Sequence, residues 1–373
     1  MILAESAAAR RRKKVLPNAP LKLLVAASGT GGHLFPALAV AQKLPDYQIE
    51  WLGVPNRVEQ ELIPKHYPLY TITVEGFQQR LGLGSLRIFA RLTGSVFQVR
   101  QLLKAGKFDG VFTTGGYIAW PAIIAARLMG LPVMIHESNA IPGKVTRWLS
   151  PLCNTVAIGF ESASQYFPRV ETVHVGTPVR SDFLEPQKLE LPIPEDVPLL
   201  VVVGGSQGAV SVNQIVRQCA ESWLEAGAWI VHLTGGQDPD ADSLEHPQYL
   251  HMPFYHNMAA LLQRANLAIS RAGAGTLTEL AITKTPAILI PYPYAAEDHQ
   301  AFNAASFDYT GAALVFRQEQ LTPELLTSKV SYLLQSPEIL QAMAEKAAAL
   351  AVPDSGERLA SLMRQLIEKK VAH

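Results

Sequence analysis

The chain has 373 residues, more than one hydrophobic core usually organises, so two domains are the leading expectation. Its 48% hydrophobic and 17% charged content is a globular balance and excludes wholesale disorder. The formal net charge of zero hides two opposed halves, because residues 1–190 carry 21 Lys and Arg against 13 Asp and Glu while residues 191–373 carry 11 against 19. The basic half can face nucleic acid or an anionic membrane and the acidic half would be repelled by either; of the two, nucleic acid is not expected as a partner. Cys153 and Cys219 stand far apart with no metal-ligand spacing, which excludes a disulfide scaffold and a zinc module. No stretch reaches the ~18–20 apolar residues of a membrane span. At the amino end Met1 to Ala9 precede Arg10 to Lys14, the reverse of a secretory signal. A cytoplasmic protein that touches a surface is expected.

Residues 1–21 read as a basic tail. Leu21 to Ala27 is a short apolar run of the kind that a strand buried on both faces requires, and it enters Ser28-Gly29-Thr30-Gly31-Gly32-His33 before a helix. Similar runs recur at Ile49 to Val54, Leu69 to Val74, Gly110 to Thr114, Val133 to His136, Val156 to Phe160 and Thr172 to Val175. Helix-length stretches between several of them predict parallel strands with crossovers. Residues 181–198 hold four prolines and no apolar period, as a linker does. Beyond it the pattern restarts with the strand Leu199 to Val203, the glycine turn 204–209 and a helix over Val210 to Ala226. Strands follow at Trp229 to Leu233, Leu267 to Ser270, Ala287 to Pro291 and Ala313 to Phe316. The expected domains are 22–181 and 182–355, with the closing helix 356–373 packing back on the first. Two Rossmann-like halves leave a cleft between their carboxyl strand ends.

Glycine turns at strand-to-helix junctions let backbone N–H groups approach an anion. The first turn does not fit G-x-G-x-x-G and lacks a P-loop ending, so alone it is either an anion cradle or an ordinary tight turn. His33 follows it on the first helical turn. Histidine exchanges a proton readily near neutral pH, which makes His33 the candidate general base, with a structural histidine as the plain alternative. In Ser270-Arg271-Ala272-Gly273-Ala274-Gly275-Thr276-Leu277-Thr278-Glu279, small residues open the backbone to a ligand and Glu279 can accept from ribose hydroxyls. The same Thr276 and Glu279 also fit a capping box. Glu297-Asp298-His299-Gln300-x-x-Asn303 follows a strand end and suits sugar hydroxyls, or is simply an acidic helix start. Asp238-Pro239-Asp240-Ala241-Asp242 looks twice like a metal-binding D-x-D, but its polar setting predicts a solvated turn and no metal.

Seven segments occur together in order: GTGGHLFPALA at 29–39, TGGYIAWPA at 114–122, HESNAIPGK at 136–144, GTPVR at 176–180, GGSQGA at 204–209, SRAGAGTLTEL at 270–280 and EDHQAFNA at 297–304. As a set they resemble the MurG family of bacterial peptidoglycan N-acetylglucosaminyltransferases, over almost the whole chain from Lys22. Thr177 and Ser138 depart from that pattern, standing where many members carry Asn and Gln. The resemblance implies an α/β protein of GT-B architecture, two Rossmann-like domains across a cleft. It implies inverting transfer of GlcNAc from UDP-GlcNAc to lipid I in β-1,4 linkage, giving lipid II and UDP, with UDP-GlcNAc as substrate and no cofactor or metal. Carried over by motif, Thr30, Gly31, Gly32, Asn139, Arg180, Ser206, Tyr255, Ala274, Gly275, Thr276, Leu277, Thr278, Glu279 and Gln300 line the donor site. Cell-wall assembly proteins are candidate partners, and the expected location is the cytoplasmic face of the plasma membrane, held peripherally. Within 77–108, Arg80, Arg87, Phe89 and Arg91 belong to a mixed basic and apolar stretch that either meets anionic lipid or is an ordinary amphipathic helix. Other readings are a diacylglycerol glycolipid synthase of the same fold, a non-catalytic nucleotide-sugar binder, and an NAD-linked oxidoreductase, which the broken glycine fingerprint disfavours.

Overall fold

A computed structural model of the chain describes residues 20–29, 31–74, 83–205 and 208–371, with the side chains of 83–92 and 371 left aside. The first half contributes β1 (Leu21–Ala26), β2 (Tyr47–Gly53), β3 (Leu69–Thr71), β4 (Gly110–Thr113), β5 (Val133–Glu137), β6 (Thr155–Ile158) and β7 (Thr172–His174). They form one sheet in the order β3-β2-β1-β4-β5-β6-β7, every neighbour parallel. Helices α1 (Gly31–Gln42), α2 (Glu59–Leu62), α3 (Leu83–Gly106), α4 (Ala119–Leu128) and α5 (Lys144–Leu149) make the crossovers. All of β4 and β5 is buried, which explains their unbroken apolar runs, since a parallel sheet covered on both faces has no solvent side to alternate with.

The second half repeats the plan. Strands β8 (Leu199–Val203), β9 (Trp229–Leu233), β10 (Tyr249–Met252), β11 (Leu267–Ser270), β12 (Ala287–Leu289) and β13 (Ala313–Val315) pair in parallel in the order β10-β9-β8-β11-β12-β13. Around them lie α6 (Val210–Glu225), α7 (Met258–Arg264), α8 (Ala274–Thr283), α9 (His299–Thr310), α10 (Pro323–Leu334), α11 (Pro337–Ala349) and α12 (Ser355–Val371). On α6, Val212, Val216, Cys219, Ala220 and Trp223 recur at the three-to-four-residue spacing that turns one helical stripe to the sheet. The edge strand β10 is an addition to the expected set. Phe183 is buried in the core beneath β8 and β11, so the proline-rich segment is anchored to the second sheet at its start.

Each sheet has a reversal of strand order, between β1 and β4 in the first and between β8 and β11 in the second. Crossovers diverge to opposite faces at such a point and leave a crevice at the carboxyl ends of the strands. The turns after β1, β4, β8 and β11 all open there.

Helix α12 crosses back to the first sheet. Leu359, Ala360, Met363 and Ile367 share a buried cluster with Leu23 and Val25 of β1 and Phe112 of β4. A Cβ on Gly110 would lie 2.7 Å from Met363 Cε and 3.0 Å from Ile367 Cδ1, so β4 and α12 touch where a side chain has no room. Arg364 donates to Asp46 Oδ1 at 2.5 Å, and Lys43 meets Glu357 at 2.5 Å. Met363→Ala is expected to lower stability by about 2–5 kcal/mol, the usual cost of emptying a buried methionine site. Urea unfolding checks this, and a loss below about 1 kcal/mol would mean that α12 is only loosely docked.

Candidate functional site

The turn after β1 is held from outside. The buried Glu59 carboxylate accepts from Ser28 Oγ, from Gly29 N at 3.3 Å and from Val54 N at 3.0 Å. Gly31 opens α1 because a Cβ there would sit 2.8 Å from the Phe35 ring. Gly32 is exposed beside it, and Thr30 lies outside the described residues. His33 Nδ1 is 2.7 Å from the carbonyl of Thr114, and Thr114 Oγ1 donates back to the carbonyl of His33 at 3.0 Å. A carbonyl only accepts, so Nδ1 carries the hydrogen and Nε2 keeps a lone pair.

His33 lines a cavity of about 610 Å³ between the two halves, with Glu137, Asn139 and Trp148 from the first and Glu297 and His299 from the second. Tyr117 and Trp148 line it while remaining 46% and 64% exposed, so an apolar wall runs from the imidazole to the surface. Glu137 shapes the loop beneath: Oε1 accepts from Asn139 N and Nδ2, both at 3.0 Å, and Oε2 from Gly143 N at 3.1 Å. Neighbouring His136 is a structural histidine. Its Nε2 donates to Gly176 O at 2.9 Å, and burial pulls its pKa down to about 4, so the ring is neutral at physiological pH.

Facing this are the turns after β8 and β11. Gly208, at φ +76°, comes so close to the next turn that a Cβ would lie 2.5 Å from Thr234 O, and glycine is required. Ser206, in the same turn, lies outside the described residues. Helix α8 starts at Ala274 with Gly273 as its N-cap and no side-chain cap, so Thr276 is already the third helical residue. That excludes the capping box and leaves Glu279 without a local hydrogen-bonding duty. Its carboxyl is pushed up to about 7 by burial, against the pull of the Arg180 guanidinium. Gly275, Thr276, Thr278 and Glu279 are half-buried, and Thr278 Oγ1 donates to Ala274 O at 2.9 Å. Leu277, by contrast, is wholly in the core and its N–H is spent on Gly273 O at 3.0 Å, so it supports the helix from behind.

Arg180 reaches this site from the end of the first half. Its guanidinium lies 5.1 Å from the ring centres of both Phe35 and Phe183, and its buried Nε has no hydrogen-bond partner. Gln300 Oε1 accepts from Ala272 N at 3.1 Å and Tyr292 N at 2.9 Å, which leaves its amide N–H groups available. Tyr255 packs partly against the second core with its hydroxyl buried and unpartnered.

Among the described residues no group of three or more His, Cys, Asp or Glu could hold a metal ion. The D-x-D segment is only in part the solvated turn expected. The Asp238 carboxylate is buried, paired with Arg217 at 2.7 and 3.2 Å and bonded by Asn213 Nδ2 at 2.6 Å, while Asp240 and Asp242 are exposed. Arg217 and Asn213 are beyond the motif, so its own letters do not reveal this pairing. Arg80 lies outside the described residues. Arg87, Phe89 and Arg91 fall on α3 where side chains are not described. No described helix is long and apolar enough to cross a membrane.

Sequence reasoning passed over Glu59, Glu137 and Arg271. The last is nearly buried and bonded wholly to neutral acceptors: Ile290 O at 3.1 Å, Pro291 O at 3.3 Å, Ser211 Oγ at 3.1 Å and Gln318 Oε1 at 2.7 Å. Glu137 and Arg271 do lie within quoted motifs, whereas Glu59 carries no local signal.

Both halves of the chain match known proteins. The glycosyltransferase family 28 N-terminal domain matches residues 23–158, and its C-terminal domain matches 199–359. A relative in Nostoc punctiforme, "UDP-N-acetylglucosamine--N-acetylmuramyl-(pentapeptide) pyrophosphoryl-undecaprenol N-acetylglucosamine transferase", is 64% identical over 95% of this chain and 100% of its own length. A protein of the same name in Gloeothece citriformis is 67% identical over 94% and 97%. The crystal structure of Acinetobacter baumannii MurG is 33% identical with a TM-score of 0.76, covering 93% of this chain and 100% of that one. The glycosyltransferase of kitacinnamycin, 16% identical with a TM-score of 0.72 over 94% and 100%, shares the fold. Matched across both halves and alike over nearly its whole length, the chain belongs to glycosyltransferase family 28, among the MurG enzymes.

Proposed function

We infer that this protein is an inverting glycosyltransferase that moves GlcNAc from UDP-GlcNAc to lipid I, undecaprenyl-pyrophosphoryl-MurNAc-pentapeptide, in β-1,4 linkage, giving lipid II and UDP. The observation that carries the site assignment is His33, whose Nδ1–H is committed to Thr114 O while the ring lines the interdomain cavity. As the acceptor C4 oxygen bonds to the anomeric carbon, its proton passes to His33 Nε2. The bond from that carbon to the β-phosphate oxygen breaks with its electron pair, and UDP leaves from the opposite face. The Thr114 carbonyl steadies the imidazolium formed.

The leaving diphosphate gathers negative charge. Arg180, whose buried Nε lacks a partner, and the uncapped first turn of α8 supply the compensation, and the motif resemblance adds Thr30, Gly31, Gly32 and Ser206 to the donor-binding set. Glu279 takes the ribose hydroxyls, the free amide of Gln300 and the Asn139 side chain take the sugar, and Tyr255 offers main chain to uracil. In this reading residues 22–181 with 356–373 form the acceptor domain and 182–355 the donor domain. The polyprenyl acceptor stays in the bilayer, so the enzyme docks peripherally at the cytoplasmic face, with the basic first half toward the lipid and cell-wall assembly proteins near it.

His33→Ala is expected to cut turnover by about 10²–10⁴ while UDP affinity stays within a few-fold. Near-normal turnover at saturating lipid I analogue would remove His33 from the role of base. Glu279 gives a pH signature. Ribose hydroxyls donate best to the carboxylate, and the free-state carboxyl titrates near 7, so UDP affinity should rise between pH 6 and 8 as that proton is lost. Glu279→Gln should flatten the Glu279 part of that rise and weaken UDP about tenfold at pH 8, as loss of charge-assisted hydrogen bonds does. Titration calorimetry reads both, and an unchanged affinity in the folded variant would dismiss Glu279 as the ribose ligand. For docking, changing Arg80, Arg87 and Arg91 together to Glu should weaken salt-sensitive binding to anionic vesicles, at about 1 kcal/mol per lost cation, with UDP binding intact. Vesicle binding indifferent to salt, lipid charge and these changes would refute the docking surface.

A further inference from the structure

Asn303, on the first turns of α9, is completely buried and uses its amide in three directions. Oδ1 accepts from Ala140 N at 2.8 Å, and Nδ2 donates to Asn139 Oδ1 at 3.1 Å and to Ala272 O at 3.2 Å. Two of these partners lie in the first half, in the loop after β5 that lines the cavity. The third lies in the second half, in the turn between β11 and α8.

The bonds continue on both sides. Asn139 is gripped by Glu137, and Ala272 N is held by Gln300, one turn before Asn303 on the same helix. A single hydrogen-bonded path therefore runs from Glu137 through Asn139, Asn303 and Ala272 to Gln300, spanning the two halves from the cavity that His33 also lines. At the amino end of α9, Glu297 makes a second, outer tie, pairing with Arg147 and, at 3.9 Å, with Lys144. Glu297 and Asp298 take left-handed φ values of +53° and +55° there, a conformation that non-glycine residues enter only when their surroundings repay it.

We propose that Asn303 is a positioning residue for the transfer: its buried amide fixes the separation of the acceptor-side loop 137–143 from the donor-side turn 270–273, and so the line of attack between the two substrates. This rests on the proposed transferase reading. A fully satisfied amide between two domains differs from an ordinary core asparagine, because its partners belong to two bodies that must hold different substrates in register. A misplacement of about 1 Å in such a register can cost about 10² in rate without loss of binding.

Asn303→Asp keeps the shape and the acceptor for Ala140 N but turns an oxygen toward Asn139 Oδ1 and Ala272 O. With lipid I analogue and UDP-GlcNAc, the expected result is a kcat about 10² lower, with the UDP dissociation constant and the donor KM within about threefold of the parent. Equal losses in UDP affinity and turnover, or an unchanged kcat, would overturn the proposal. Hydrogen exchange on the unaltered protein is a second measurement that does not need the variant to fold. UDP, bound on the donor side, should slow exchange of the Ala140 amide about fivefold or more through the Asn303 bridge. Exchange over 139–143 indifferent to UDP would count against it. If the unaltered protein transfers no GlcNAc to lipid I, the transferase reading itself fails, an outcome separate from either result on Asn303.

Discussion

Because every strand in both sheets runs parallel to its neighbours, all of their carboxyl ends emerge on one side, and the crossovers that part at β1/β4 and β8/β11 leave a gap there. The remaining features of the site are ways of furnishing that gap. Turns at such a place must bring backbone N–H groups close to a ligand, so they are short and glycine-rich, and short glycine-rich turns do not hold their own shape. Support has to come from elsewhere in the chain.

Carboxylates supply much of it. Glu59 and Glu137 each satisfy two backbone donors and one side-chain donor and thereby freeze the turn after β1 and the loop after β5. Across the cleft the same work is done without an acid: Gln300 secures the turn before α8, and Asn213 bonds Thr234 O, the carbonyl that Gly208 approaches. Glu279 contrasts with both supporting acids. Among the described residues its carboxyl has no hydrogen-bond partner, and it sits beside an arginine packed on aromatic rings, so its charge is disfavoured until something arrives to use it. Supporting carboxylates are fully bonded and a waiting one is not, and this distinction separates scaffold from site more sharply than residue type does.

Strand runs such as Leu199–Val203 were legible because complete burial leaves only apolar residues in sequence, and the glycine turns were legible because they follow such runs directly. β10 was not, since Tyr249, Leu250, His251 and Met252 sit at a sheet edge with three of the four only partly covered, which dilutes the apolar signal. Glu59 was hidden for another reason. Besides nearby Val54, its partners are Ser28 and Gly29, roughly thirty residues earlier, and no spacing rule spans that distance. Asn303 shows the intermediate case: the motif around it is visible, but that its amide reaches Ala140 and Asn139 depends on how two separately folded halves meet. Thr276 and Glu279 fitted a capping pattern that failed because the helix begins three residues earlier than that pattern requires.

The return of α12 to the first sheet has a consequence for the order of events on the ribosome. Residues 21–174 leave the exit tunnel well before Met363 and Ile367, yet one face of their sheet, with Leu23, Val25 and Phe112, is covered in part by those two side chains. During translation that apolar face stays open while the whole six-stranded half is synthesised and able to close upon its own core. The half translated first is therefore the half finished last, and the interval between the two is a window in which a chaperone has something to hold.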